Sequence, residues 1–183
     1  VSYGFDAVGN RTNRTSTLPG INHQAFNYNA NDLLNVGTDH AYDANGNTTI
    51  GVNGSRQHVL SNYDFENRLI KRESGGTTIL IGYDGDGQRV SKTVISGGTT
   101  NTVWYLVDDR NLTGYAQVLE EHVSTNSSTP ILSRVYGYGH DLISQRRWDG
   151  AQWWLSYYGY DGHGSVCSLT DTLGNVTDTY TYD

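Results

Sequence analysis

His163 and Cys167 lie four residues apart, and together they could support nucleophilic chemistry, since an imidazole can raise the thiolate fraction of a nearby thiol. His140 beside Asp141 offers a second base, so a hydrolase would rest on His163 or His140. Against this, His163 falls in a glycine-rich turn and Cys167 in the strand that follows, a place usually given to a small packing residue. Glu120-Glu121 offers carboxylates for glycosidic acid–base work, which needs two carboxyls roughly 5 to 10 Å apart. Neighbours on a strand point to opposite faces, so these two cannot form that pair. Asp84-Gly85-Asp86-Gly87-Gln88 and Asp43-Ala44-Asn45-Gly46-Asn47 have the look of calcium loops. Their twelfth positions are Ile95 and Gly54, where a bidentate glutamate is required, so both read as turns. No catalytic set, metal-ligand set or cofactor motif stands out.

The acidic turns belong to something larger. A Tyr-Asp step followed by an Asn/Asp/Gly turn recurs at Tyr42-Asp43 with Gly46, Tyr63-Asp64 with Asn67, Tyr83-Asp84 with Gly87 and Tyr160-Asp161 with Gly164. Phe5-Asp6 with Gly9 is a further copy, and Tyr28-Asn29 a weaker one 14 residues before Tyr42. Tyr42, Tyr63, Tyr83 and Tyr105 follow at intervals of 21, 20 and 22 residues, and Tyr160 to Tyr182 is again 22. A fixed period of roughly 20 to 50 residues is the signature of stacked repeats. The repeat is architectural: the aspartate can accept from backbone N–H groups of the turn it opens. The tyrosines can stack as a ladder with their hydroxyls hydrogen-bonded.

Between the turns lie strand-sized runs at 69–72, 78–83, 89–95, 102–107, 115–120, 131–136 and 153–158. Ser74-Gly75-Gly76 and Ser96-Gly97-Gly98 supply the positive φ that tight hairpins require. Glycine, asparagine and aspartate interrupt any helical periodicity. The fold class is therefore all-β, with successive antiparallel hairpins forming a continuous twisted sheet. Isolated hairpins are marginal in water, so each must lean on its neighbouring repeats. Residues 1–119 carry the repeats, 120–154 are less regular, and 155–183 resume the pattern.

Composition bounds function. Charged residues make up 17 % of the chain, below the roughly 25 % of an average soluble domain, a balance that suits secreted or cell-surface proteins. A net charge of -7 argues against nucleic acid. Lys71-Arg72 and Arg146-Arg147 are the basic clusters, and each reads as a solvated strand end. One cysteine excludes an internal disulfide, and no apolar run approaches the roughly 20 residues of a membrane-spanning helix. Asn-X-Ser/Thr triplets, as at Asn10 and Asn111, follow from the Asn/Ser/Thr content. The start at Val1, the lack of methionine and the closing Tyr182-Asp183 read as a piece cut from a longer protein. Trp148, Trp153, Trp154, Tyr157 and Tyr158 form the densest aromatic cluster, which serves packing or offers a platform for glycan.

The Tyr-Asp units resemble the YD repeats of Rhs proteins, relatives of toxin-complex C components and of teneurins. Residues 104–121, from Trp104-Tyr105-Leu106 to Glu120-Glu121, resemble a segment of large bacterial Rhs proteins. Tyr160-Asp161-Gly162-His163-Gly164, followed by Leu169-Thr170-Asp171 and Gly174-Asn175-Val176, resembles the opening of the Rhs repeat-associated core. The resemblance covers the whole chain. It implies a strip of a spiralling, hollow YD-repeat shell that is itself non-enzymatic and encloses a C-terminal toxin or effector domain of the same parent chain. In teneurin-like relatives the same shell serves adhesion, which implies an interaction module for glycan or a cell-surface protein instead. Rhs cores continue into an Asp-Pro segment where self-cleavage releases the C-terminal domain, and no residue of that reaction is carried over here. About eight repeats are too few to close a cage, and open sheet edges favour self-association.

Overall fold

The computed structural model describes residues 1–34 and 39–182. All regular structure among them is β. Strands β1 (Ser2–Phe5), β2 (Arg11–Thr15) and β3 (Gln24–Ala25) pair antiparallel in that order. A second sheet follows, made of β4 (Ala41–Tyr42), β5 (Thr48–Val52), β6 (His58–Tyr63), β7 (Leu69–Ser74), β8 (Thr77–Tyr83), β9 (Arg89–Ser96) and β10 (Thr99–Asp108). It continues through β11 (Gln117–Thr125), β12 (Ile131–Tyr138), β13 (Leu142–Trp148), β14 (Trp153–Tyr160), β15 (Val166–Thr170) and β16 (Val176–Thr179). These thirteen strands are hydrogen-bonded in strict chain order, a long antiparallel series of hairpins. Among the described residues no helix is long and apolar enough to cross a membrane. The chain divides into two compact units, Val1–Thr78 and Ile79–Asp183, and the division falls within β8. Asp183, of the closing Tyr182-Asp183 step, lies outside the described residues.

Two kinds of tight connection produce this order. Gly75-Gly76 joins β7 to β8 with φ of 56° and 77°, and Gly97-Gly98 joins β9 to β10 with 57° and 77°. Positive φ at both central residues is the type I′ hairpin, whose twist matches that of the strands it joins. The second kind is opened by the repeat's aspartate and is described with the site below.

The seven apolar runs fall on β7 to β12 and β14, while β1 to β6, β13, β15 and β16 lie outside them. The run at 115–120 begins pairing only at Gln117, because the preceding residues fold into a loop closed by the Asn111 side chain. That side chain donates to the carbonyls of Asp108 at 3.0 Å and Tyr115 at 2.7 Å and accepts from the Thr113 N–H. β13 was not among the expected strands, since its Ser144, Gln145, Arg146 and Arg147 break the apolar pattern. Its pairing on both sides, to β12 and β14, makes it a strand regardless.

Within each unit the strands form one layer with almost no core of its own. Among the described residues Val59 and Leu169 are the buried apolar ones, while Phe65, Leu106, Ile143 and Trp154 are exposed by half or more. A sheet ordinarily buries at least one face against another layer. Here both faces carry half-open aromatic and aliphatic side chains.

Candidate functional site

The repeat unit is a hairpin turn organised by one carboxylate. In the Asp43 turn the Asp43 N–H donates to the Asn47 carbonyl at 3.0 Å, and the Gly46 N–H returns to the Asp43 carbonyl at 3.1 Å. Asp43 Oδ1 accepts the N–H groups of Asn45 and Asn47, each at 2.9 Å, and Oδ2 accepts the Asn47 amide at 2.9 Å. The Asn47 amide, with the backbone donors, holds the Asp43 carboxyl below the usual carboxylate range. The same backbone pattern recurs at Asp6, Asn29, Asn53, Asp64, Asp84, Asp161 and Asp171. In each turn the fourth residue takes positive φ, from Gly9 at 91° and Gly87 at 83° to Asn67 at 63° and Arg56 at 59°. This is a type I turn closed by a residue in the left-handed region, which glycine adopts freely and asparagine tolerates. Asn67 uses the place: its Oδ1 accepts from Asn45 at 3.0 Å and Asn47 at 2.7 Å, tying one turn to the next. Asp32 does the same for Asn10 at 2.9 Å.

The Asp6, Asp43, Asp64, Asp161 and Asp171 turns are each followed by an extra residue in the return strand, whereas the strands flanking the Asn53 turn pair without one. Tyr63 faces Leu69 and Asn62 faces Lys71, leaving Ile70 unpaired. Tyr160 faces Val166 and Gly159 faces Ser168, leaving Cys167 in the same position. Such a bulge bends the strand and shifts which residues share a face. Cys167 is therefore the repeat equivalent of Ile70, with its Sγ against the Gly159 carbonyl at 3.4 Å.

The tyrosines tie one hairpin to the one before. Tyr28, Tyr42, Tyr63 and Tyr182 donate their hydroxyls to the carbonyls of Arg11, Leu34, Thr48 and Val166, at 3.0, 3.0, 3.2 and 2.7 Å. Each acceptor is the first residue after one of the earlier repeat turns, those of Asp6, Asn29, Asp43 and Asp161. Tyr160 reaches Leu142 in the same way at 2.5 Å. The expected ladder is thus one of hydroxyls on backbone, while the ring–ring contact is made elsewhere by Trp148 and Trp153. A Gly-Tyr pair recurs too. Gly82, Gly137 and Gly159 lie under the side chains of Ser91, Ser144 and Ser168, whose Oγ atoms would sit 2.4 to 2.6 Å from an added Cβ. Gly137-Tyr138 is the copy missing from the less regular stretch, 22 residues before Tyr160. Its dipeptide was the signal that could have found it.

The residues singled out for catalysis do not form sets. The His163 N–H donates to Asp161 Oδ1 at 2.8 Å as part of its turn, and Cys167 has the bulge contact just described. Asp141 gives its carbonyl to the Gly139 N–H in the tight turn that carries His140. Glu120 and Glu121 part to opposite faces as expected. Glu120 Oε2 lies 2.9 Å from His122 Nε2, whereas Glu121 accepts the Tyr136 hydroxyl at 2.7 Å.

The five aromatic residues of the cluster also divide. Trp148 and Trp153 are cross-strand partners with ring centroids 5.6 Å apart, and strand alternation puts Tyr157 on their side. Trp154 and Tyr158 are on the other side, in the most elaborate polar arrangement of the chain. There Glu121, Arg134, Arg147 and Trp154 stand opposite one another across β11, β12, β13 and β14. Beside them Tyr136, Gln145 and Ser156 form a second row. Tyr158 donates its hydroxyl to the Oε1 of the buried Gln145 at 3.0 Å, and Arg134 reaches the Tyr136 oxygen at 3.4 Å. Burial pushes the Tyr136 phenol up to about 12; the Glu121 carboxylate adds to the rise and Arg134 opposes it. Arg134, Gln145, Arg147, Trp154, Ser156 and Tyr158 line a shallow depression of about 190 Å³, closed on its far side by Leu169, Asp178 and Tyr180. The reading of Arg146-Arg147 as a solvated strand end missed this, since strand alternation commits only Arg147 to the depression.

No family model matches the chain. It is 29 % identical, over an aligned length of 187 residues that takes in all of it, to the tRNA3(Ser)-specific nuclease WapA of Bacillus spizizenii. The match to the tRNA nuclease WapA of Bacillus subtilis has the same identity and extent. The chain spans 7 % of the length of these relatives. A solved structure of the Photorhabdus luminescens Tc holotoxin pore shares the fold over 92 % of this chain and 12 % of its own, with a TM-score of 0.50 and 13 % identity. One hairpin geometry repeats from Asp6 to Asp171, and the similarity to these relatives runs along the entire chain, which together support assignment to the Rhs/YD-repeat proteins.

Proposed function

We propose that this chain is a non-enzymatic strip of an Rhs/YD-repeat shell that encloses and carries a C-terminal toxin or effector domain of its parent chain, in a secreted or surface-borne protein. The observation that carries the reading is the single layer of strands within each unit, with almost no core. A wall built this way has two working faces and gains its stability from neighbouring repeats rather than from a globular interior. The nucleases among its relatives are consistent with a carried domain that does the chemistry while the repeats contain it.

The test uses the parent chain through its native C-terminus, read by size exclusion, denaturing gel and mass on one peak. Under this reading the C-terminal domain co-elutes with the repeats and resists added protease. A tail that is digested at the rate of the isolated domain would overturn it. The Trp148–Trp153 pair, with Tyr157 on its side and both Trp153 and Tyr157 open to solvent, supports a second reading as a glycan-binding surface. A tryptophan emission shift on glycan addition, lost in Trp153→Ala, is its expected result, and silence across a broad glycan panel would sink it.

A further inference from the structure

The depression on the Trp154 side of the second unit has an unbalanced centre. Arg134 and Arg147 are direct cross-strand partners on one face. Like charges so placed destabilise a sheet unless something negative lies between them. Neither forms an ion pair among the described residues, although Glu121 is paired across the strands with Arg134 and Asp178 lines the site. Arg134 has one long hydrogen bond, to Tyr136, and Arg147 has none. Gln145, buried beside them, spends its Oε1 on Tyr158, so its amide hydrogens remain to donate.

We propose that Arg134 and Arg147 together bind the carboxylate of an aspartate or glutamate carried by a polypeptide segment lying across this face. Two guanidinium forks and an amide match the two oxygens of one carboxylate. The Trp154 and Tyr158 rings flank the pair and lower the local dielectric, which strengthens the contact. The charge balance selects a peptide over a polyanion. A chain of net charge -7, with Asp178 lining the site and Glu121 paired across the strands with Arg134, accepts one negative group and repels a run of phosphates. The site stands apart from the shell reading, because it can bind a free peptide whether or not a carried domain is protected.

The experiment is a titration of the isotope-labelled 183-residue chain, at fixed ionic strength, with a blocked Gly-Glu-Gly peptide, its Gly-Gln-Gly counterpart and inorganic phosphate. The readouts are the Trp154 indole and arginine side-chain N–H resonances. The glutamate peptide is expected to give a saturable shift. The glutamine peptide should bind about tenfold more weakly, the scale of a lost charged hydrogen bond. Arg147→Gln should remove the response, Arg147→Lys should weaken it by keeping charge without the fork, and Arg146→Gln on the opposite face should leave it unchanged. The backbone spectrum of each variant establishes that it is folded. Equal binding of the two peptides, equal loss in Arg146→Gln and Arg147→Gln, or phosphate shifting the same resonances at the same concentration as the glutamate peptide would each overturn the proposal.

Discussion

The stretch from β4 to β8 and the stretch from β10 to β14 use the same antiparallel pairing but fix it by different means. In the first, position is set locally by the turn. Asp43 and Asp64 each satisfy their own hairpin backbone, and Asn67 passes a side-chain bond to the turn before it. In the second, the loops after Asp108 and Trp148 depart from the repeat, and side chains across the sheet face take over, from Glu121 through Tyr136 to Arg134 and from Tyr158 to Gln145. A turn that closes on itself can be copied with little regard to its neighbours. A cross-strand row requires each strand to supply a particular partner, so the second stretch is where an individual chain can carry binding specificity.

The sharpest way to break this comparison is inside one repeat turn. Gly87 has φ of 83°, whereas Gly85, two residues earlier, does not take positive φ and has open space around it. Gly87→Val should cost about 1–3 kcal/mol through backbone strain. Gly85→Val should change stability by a few tenths of that. Thermal melting of both variants decides: a shared small effect would mean that the turn is held by sheet pairing rather than by its own conformation.

How much of this was legible follows from the same distinction. The repeat period, the hairpins and the turn aspartates could be read because their determinants lie within six residues of sequence. The Asn53 and Asp171 turns were missed as copies because no Tyr-Asp precedes them, although their backbone bonds are the same. The bulge that re-aims Cys167, and the serines lying over Gly82, Gly137 and Gly159, depend on the partner strand, which a linear reading does not supply. The aromatic cluster was seen as one group of five. Strand alternation split it, and the side away from Trp148 gained Arg134 of β12 and Arg147 of β13, while Arg146 falls on the Trp148 side.

The second stretch can be tested through Tyr136. Tyr136→Phe should cost about 1 kcal/mol or less, since the phenol is only part-buried and water can replace part of the Glu121 bond. Its alkaline behaviour is more telling. The folded phenol titrates at about 12, above its ordinary value of 10.0, so the unfolded chain loses its proton first. The resulting stability is full below pH 10 and is lost as pH rises through about 12. Denaturant midpoints across that window should fall more steeply in the parent chain than in Tyr136→Phe. Parallel curves would mean that the cross-strand row is decoration.

The smallest expected effect is at Asp149, in the connection between β13 and β14, where a turn aspartate borrows a side chain from the sheet. Its Oδ2 accepts the Trp154 indole N–H at 2.5 Å, and Oδ1 accepts the N–H groups of Ala151 and Gln152. The indole bond, followed by the Gln152 and Ala151 donors, brings the carboxyl down to about 2 from 3.8. A depressed carboxyl stabilises the folded state above its unfolded value near 3.8 and ceases to do so as pH falls through about 2. Between those limits Asp149→Asn should flatten the acid side of the melting profile slightly and remove a change in Trp154 emission with the same midpoint. Asp43 and Asp171 are lowered by their neighbours Asn47 and Asn175 and by backbone, with no tryptophan involved, so their Asn variants should leave that emission change in place. If all three variants behaved alike, the Asp149 turn would be another self-contained repeat turn. If Asp149→Asn alone moves the emission, then even the connection beside the arginine row is fixed by the sheet face rather than by its own backbone.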